Sequence, residues 1–301
     1  MIFKKTAVVG IGLIGGSLVE AFKKYRISNH IIGISRSDAY IKALKIGVIN
    51  EGYPIDELQT GIKDADLIIL AVPIRKICAL IAEIMPKAKP GSIITDVGST
   101  KHVIMEVAHT FMRKGVYFIG GHPMAGSEKA GFDYRSPDLF LNRPYAIVPD
   151  KKTPQEVAES LLVMVQTIGA IPITIDAITH DRIVAGISHL PQVAVIALMN
   201  AIGRENDSDN RYFQLSGPAF YEITRIAESK YDMWEDILIS NRRNISNILN
   251  GFIEELKQFK KSLDKPIIRE DFDKANAYRD QLLKTGKVLF DVSRDVQNGK
   301  P

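Results

Sequence analysis

Val8-Val9-Gly10-Ile11-Gly12-Leu13-Ile14-Gly15-Gly16-Ser17 is the stretch from which the rest of the chain can be placed. It follows a β-type run, Thr6 to Val9, and leads into a helix-period segment with apolar residues at Leu13, Val19, Ala21 and Phe22. A G-x-G-x-x-G pattern has meaning only in this strand–turn–helix context. Gly10 permits the tight turn, Gly12 lets the backbone approach a pyrophosphate, and Gly15 lets the helix lie close on the strand. The helix N-terminus adds unpaired N–H groups and the positive end of its dipole. Gly10, Gly12, Leu13, Ile14 and Gly15 are therefore candidate dinucleotide contacts.

Working outward, short apolar runs alternate with amphipathic helical stretches up to about residue 176. The runs are Ala7–Val9, Ile31–Ile34, Leu67–Val72, Ile93–Thr95, Val116–Ile119, Ala146–Val148 and Ile171–Ile175. Such alternation reads as βαβ units and a largely parallel sheet covered on both faces. Beyond Asp176 the strands stop. Ala177 to Arg204 forms one long helical pattern, with further helices near Pro218–Ala227, Asp232–Ser240, Asn241–Leu263 and Asp271–Val296. The expected architecture is a Rossmann-type α/β domain, 1–176, followed by an all-helical domain, 177–301. In the helix from Asn241, the stripe Ile245, Ile248, Leu249, Phe252, Leu256, Phe259, Leu263 is long for one small domain to bury. Part of it is expected to be core shared between two subunits.

The composition is that of a globular protein, 46% hydrophobic and 25% charged. No apolar run is seen to approach the ~20 residues of a membrane span, and no signal peptide is apparent. A net charge of +4 on scattered lysines argues against nucleic acid and suits a small anionic substrate. The single cysteine, Cys78, fits a reducing cytoplasm and reads as a small core residue. No His/Cys/carboxylate spacing matches a metal site.

At the end of the second apolar run, about 20 residues past the glycine loop, NAD-binding sheets carry an acid for the ribose hydroxyls. Here the residues are Ile34-Ser35-Arg36-Ser37. Ser35 and Arg36 suit a 2′-phosphate, because the guanidinium fork matches phosphate oxygens. NADP is thus favoured over NAD, while the ordinary alternative makes Arg36 a solvated loop residue and Ser37 or Asp38 a helix cap. Val72 and Pro73 fall at the carboxyl end of the sheet, where ligands of open α/β folds bind.

Three further segments carry candidate chemistry. In Asp96-Val97-Gly98-Ser99-Thr100-Lys101, Ser99 or Thr100 is a good N-cap for a helix from about Lys101 to Phe111; equally, Ser99 could hydrogen-bond a catalytic group. Gly120-Gly121-His122-Pro123-Met124-Ala125-Gly126-Ser127-Glu128 opens an irregular loop about 20 residues long, a length that is usually functional or disordered. Its apolar anchors Met124, Phe132, Leu139 and Phe140 argue for order, and His122 is placed for proton transfer near neutral pH. Ser188-His189-Leu190-Pro191-Gln192 lies in the long helix, where Pro191 should cause a bend. On periodicity alone a satisfied core histidine is the simpler reading of His189. His180, nine positions earlier, is about half a rotation away, so a straight helix could not aim both at one place. For Arg225, in Thr224-Arg225-Ile226-Ala227, a surface ion pair is the ordinary expectation.

Together the segments Gly10-x-Gly12-x-x-Gly15, Asp96-Val97-Gly98-Ser99, Gly121-His122-Pro123-x-Ala125-Gly126-x-Glu128, Ser188-His189-Leu190-Pro191, Thr224-Arg225-Ile226-Ala227 and Met233-Trp234 resemble the prephenate dehydrogenase family, end to end. The resemblance implies a single-function, cytoplasmic oxidoreductase of tyrosine biosynthesis. It implies oxidative decarboxylation of prephenate to 4-hydroxyphenylpyruvate with hydride transfer to NAD(P)+, a helical domain that forms a homodimer, and a cleft between the domains. By the same resemblance His122 is the base, Ser99 orients it, His189 and Arg225 bind substrate carboxylates, and Glu128 belongs to the polar network at the cleft mouth. The chain departs from some relatives in having Gln192 where they carry a second histidine, no lysine near Tyr221, and Ser35 for the ribose acid. The first two leave arogenate, or both cyclohexadienes, open as substrate, with Gln192 among the candidate substrate contacts. A β-hydroxyacid dehydrogenase shares the plan but needs a lysine on the long helix, and 169–204 has none. A silent NADP-binding module is the reading from another class, opposed by the intact Ser99, His122, His189 and Arg225.

Overall fold

A computed structural model describes residues 2–36, 38–126 and 129–297; Ser37 and Glu128 lie outside them. The strands are β1 (Phe3–Val9), β2 (Ser28–Ser35), β3 (Glu51–Pro54), β4 (Leu67–Leu70), β5 (Ile93–Asp96), β6 (Tyr117–Pro123), β7 (Pro144–Pro149) and β8 (Ile171–Thr174). They form one sheet in the order β3-β2-β1-β4-β5-β6-β7-β8. All neighbours are parallel except β6 and β7. The helices are α1 (Leu13–Lys24), α2 (Ala39–Lys45), α3 (Leu58–Ile62), α4 (Ile74–Ile84), α5 (His102–Phe111) and α6 (Gln155–Thr167). After the last strand come α7 (Ala177–Val184), a π-helical turn (Ala185–His189), α8 (Leu190–Ser208), α9 (Arg211–Gln214), α10 (Pro218–Thr224), α11 (Tyr231–Ser240), α12 (Arg242–Ser262) and α13 (Ile268–Gln297).

Chain order reverses at β1, with β2 and β3 on one side and β4 on the other. The crevice past the carboxyl ends of β1 and β4 is the ligand position of such sheets. Both faces are covered, so the central strands are uniformly apolar: Ala7, Val8, Val9 and Leu67 to Leu70 are fully buried.

An eighth strand, β3, joins the seven expected. It is a half-buried edge strand that Pro54 can end without breaking a ladder. Its Gly52 is required because a Cβ there would come within 2.8 Å of Tyr40 and 2.9 Å of Leu44, both on α2. The second difference concerns His122. It lies in β6, paired with Ala146 across the antiparallel ladder, and not in the irregular loop, which starts after Pro123. That loop is ordered by α1: Phe132 packs where Gly16 has no side chain, Ser136 N donates to Ser17 Oγ at 3.0 Å, and Arg135 pairs with Glu20 at 2.8 Å.

The chain divides into two compact units, 1–177 together with the stretch from Ser262 onward, and Ile178–Lys261. In the second unit the long helix is not continuous, because the π-turn interrupts it just before Pro191. A residue without N–H leaves a carbonyl one turn earlier without its donor, and a wider turn is one way a helix passes that point. The whole run Ala177–Ser208 reaches a mean hydropathy of 1.6 in its most apolar window, so the expectation that no stretch approaches a membrane span is corrected. The run also carries the buried polar side chains His180, Asp181, His189 and Gln192, and 28% of its most apolar window is buried. In the apolar stripe of α12, Ile245 is buried and Leu249 and Phe252 are half-buried, while Ile248, Leu256, Phe259 and Leu263 are exposed.

Candidate active site

In the first unit, the glycine loop is shaped by contacts that allow no side chain. Gly10 adopts φ +100°, and a Cβ on it would overlap the Ala71 carbonyl and approach Val72 to 2.7 Å. A Cβ on Gly15 would overlap the Gly10 carbonyl. These two glycines lock the turn onto the segment that carries Val72 and Pro73. Gly12 differs: a Cβ there would meet no protein atom within 4 Å. That open space leaves the backbone accessible to a group such as a pyrophosphate. The first turn of α1, with half-buried Leu13 and Ile14, holds no acidic residue to neutralise its positive end. The residues present thus fit a dinucleotide. At the end of β2, Ser35 is buried and Arg36 exposed. Asp38 occupies the N-cap position of α2 without a side-chain capping bond, and Ser37 lies outside the described residues.

The turn after β5 holds a buried ion pair that sequence reading missed. Asp96 and Lys101 are both 0% exposed and paired with each other. The Asp96 carboxylate also accepts from Gly98 N at 2.8 Å and Gly121 N at 3.1 Å. Lys101 Nζ donates in addition to the Gly121 carbonyl at 2.7 Å. The pair thus grips both backbone polar groups of the residue before His122, and a Cβ on Gly121 would lie 2.5 Å from the Asp96 carbonyl oxygen. Lys101, rather than Ser99 or Thr100, holds the N-cap position of α5. Ser99 is half-buried on the turn that Asp96 ties to β6, and His122 is buried at 8% exposure. Tyr145, stacked beneath Gly121, has its phenol pushed up by burial and by Asp96.

The second unit gathers another polar cluster. His189, 1% exposed at the end of the π-turn, faces Asn241 Nδ2 through its Nδ1 at 3.1 Å. It also meets the Trp234 ring edge-on at 5.8 Å. Burial pulls the His189 pKa down to about 4, opposed by Asp181 and reinforced by His180. His180 and Asp181 are bonded to each other at 2.8 Å, both buried. The indole N–H of Trp234 is buried, with no acceptor among the described residues. Gln192, 3% exposed, donates through Nε2 to the Ile226 carbonyl at 3.0 Å. Its amide thereby holds the segment that begins with Arg225, whose side chain is exposed. Glu128 cannot be placed in either cluster, since it lies outside the described residues. Trp234 and Asn241 are the contributors that received no role from sequence; the tryptophan's position in Met233-Trp234 was the available signal.

Two family models match the chain in succession. Residues 18–174 match the nucleotide-binding domain of prephenate dehydrogenase, and residues 176–280 match its dimerization domain. The chain is 33% identical to the prephenate dehydrogenase of Bacillus subtilis over 98% of its own length and 75% of that protein's. Among solved structures, it is similar to Synechocystis arogenate dehydrogenase (28% identity, TM-score 0.80, covering 92% of this chain and 99% of that one). It shares its fold with Aquifex aeolicus prephenate dehydrogenase in complex with hydroxyphenyl propionate and NAD+ (24% identity, TM-score 0.81, covering 93% and 98%). Matched by both domains of one family and by a relative aligned along 98% of this chain, the chain belongs to the prephenate dehydrogenase family.

Proposed function

We propose that this oxidoreductase converts prephenate to 4-hydroxyphenylpyruvate and CO2 with His122 as its base, Ser99 as the group that orients His122, and His189 and Arg225 as ligands of the substrate carboxylates. A bound nicotinamide dinucleotide supplies the hydride acceptor. His122 takes the proton of the C4 hydroxyl as that carbon becomes a carbonyl, and loss of the ring carboxylate as CO2 restores aromaticity. Because aromatisation drives the step, the protein's work is alignment and one proton transfer, the latter worth about 10²–10⁴-fold. The observation that carries this reading is the clamp on Gly121: a buried ion pair fixes the backbone beside a nearly buried histidine. Such an arrangement suits a base that must hold its position.

Gln192 supports the carboxylate site through Ile226. Ser35 and Arg36 favour NADP over NAD, through a guanidinium available to a 2′-phosphate. The open apolar stripe of α12 and the match to a dimerization domain support a homodimer built through the helical unit. A reducing cytoplasm suits the lone, half-buried Cys78. Arogenate is the second reading, favoured by the 28% identity to an arogenate dehydrogenase and by a neutral residue, Gln192, where a histidine could stand. Steady-state turnover of prephenate and arogenate, each with NAD+ and NADP+, tests the substrate and cofactor assignments. Prephenate with NADP+ is expected to give the highest kcat/KM. Absence of turnover with either substrate would sink the proposal.

A further inference from the structure

His189 is surrounded by groups whose hydrogen-bonding directions can be worked out without reference to any titration. Asn241 makes three polar contacts. Its Nδ2 lies 2.7 Å from the backbone carbonyl of Asp181 and 3.1 Å from His189 Nδ1, and its Oδ1 accepts from Asn244 Nδ2 at 2.8 Å. The orientation of an amide is fixed by such a network. Reversed, Asn241 would place its oxygen against the Asp181 carbonyl oxygen and its NH2 against the NH2 of Asn244. The NH2 group therefore faces both Asp181 O and the imidazole, with one hydrogen for each. An amide NH2 has no acceptor capacity. His189 Nδ1 must then present a lone pair, and the ring proton is on Nε2.

We propose that Asn241 is a positioning residue that holds His189 as the neutral Nε2–H tautomer, so that the histidine meets the substrate carboxylate as an uncharged hydrogen-bond donor. An imidazolium would set N–H against N–H in a site with 1% and 2% exposure at His189 and Asn241. The titratable groups acting on His189 are His180 and Asp181 of α7; Trp234 of α11 and Asn241, between α11 and α12, also face it and do not titrate in this range. Asp181 Oδ1 is bonded to His180 Nδ1 at 2.8 Å, and the Asp181 charge acts on His189 against the effect of burial. The site's positive charge is thereby left to Arg225, and the histidine contributes direction.

The functional half of this inference rests on the assignment of His189 to the substrate made above; the tautomer itself does not. The test uses the full-length enzyme labelled with ¹⁵N-histidine, with long-range proton–nitrogen spectra read from about pH 5.5 to 8.5 and the His189 signal identified by its loss in His189→Gln. The expected wild-type result is a pure Nε2–H pattern across that range. An Nδ1–H or doubly protonated ring at neutral pH would overturn the proposal, and that spectrum needs no variant to fold. In Asn241→Leu the Nδ1–H form should appear, with KM for prephenate raised about tenfold and kcat within about threefold. An exclusively Nε2–H ring in Asn241→Leu would also overturn it. If the spectra come out as expected while neither Asn241→Leu nor His189→Gln moves KM, the assignment of His189 to the substrate fails and the tautomer assignment stands.

Discussion

Replacing Lys101 by methionine removes one ammonium from a fully buried pair and keeps the stem's apolar volume. In the wild type the Nζ meets the Asp96 carboxylate and the Gly121 carbonyl, and neither Lys101 nor Asp96 is exposed. Removing one partner of such a pair strands a buried charge, which costs about 3–5 kcal/mol. The two backbone donors that remain on Asp96, Gly98 N and Gly121 N, place the cost toward the lower end. The orphaned Gly121 carbonyl adds on the order of 1–3 kcal/mol and pulls it back up. A loss near 4 kcal/mol is a large share of the ~5–15 kcal/mol that holds a domain folded. It corresponds to roughly 8–16 °C in the melting temperature of a unit of this size. The assay is urea unfolding at constant slope, with calorimetry alongside. The same change at Lys89 is the control: Lys89 pairs with Asp66 at 2.6 Å, but their side chains are 34% and 27% exposed, so its loss should cost no more than about 1 kcal/mol. If Lys101→Met costs as little as Lys89→Met, burial does not set the strength of the clamp and the reasoning about Gly121 is refuted.

Three other outcomes are expected. His122→Asn should lower kcat by at least about 10²-fold with little change in KM, since a lost base acts on the chemical step; unchanged kcat in stopped-flow or steady-state assays would remove His122 from the mechanism. Ser35→Asp with Arg36→Ile should shift the ratio of kcat/KM values toward NAD+, and a variant that still prefers NADP+ would show the 2′-phosphate is held elsewhere. His189, pulled down from 6.5 to about 4 in the fold, contributes stability that is present above pH 6.5 and lost as pH falls through about 4. The loss is on the order of 3 kcal/mol, and acid unfolding of His189→Gln should lack that part of the slope.

Periodicity and turn chemistry carried the fold because both are local. The buried runs Ala7–Val9 and Leu67–Leu70 are strands in any context that covers two faces, and Gly15 answers to the Gly10 carbonyl in the same turn. β3 was not legible for the complementary reason. Glu51-Gly52-Tyr53-Pro54 has no alternation to read, and its glycine answers to Tyr40 and Leu44 on a separate helix. The strand that carries His122 extends past two glycines because Asp96 and Lys101 approach it from β5's turn, a tertiary cause that makes an apparent loop into ladder. Pro191 announced a bend, while the form it takes, a π-turn ending at His189, depends on how the helix passes the missing N–H.

The same asymmetry separates the residues expected to do chemistry from those that hold them. A histidine between Gly121 and Pro123, or one beside Pro191 in an apolar helix, stands out because its residue type is rare in such surroundings. Asp96, Lys101 and Asn241 are ordinary in sequence: an acid at a strand end, a lysine at a helix start, an asparagine between two helices. What makes them decisive is near-zero exposure, and exposure is settled only when segments 25 residues apart (Asp96 and Gly121) or 52 apart (His189 and Asn241) come together. In water each would make exchangeable hydrogen bonds worth little. In the low-dielectric interior the same groups dictate which backbone is held and which ring nitrogen carries the proton. The supporting groups of a catalytic histidine are therefore the part of a site that a single sequence conceals, and the place where conservative substitutions should prove least conservative.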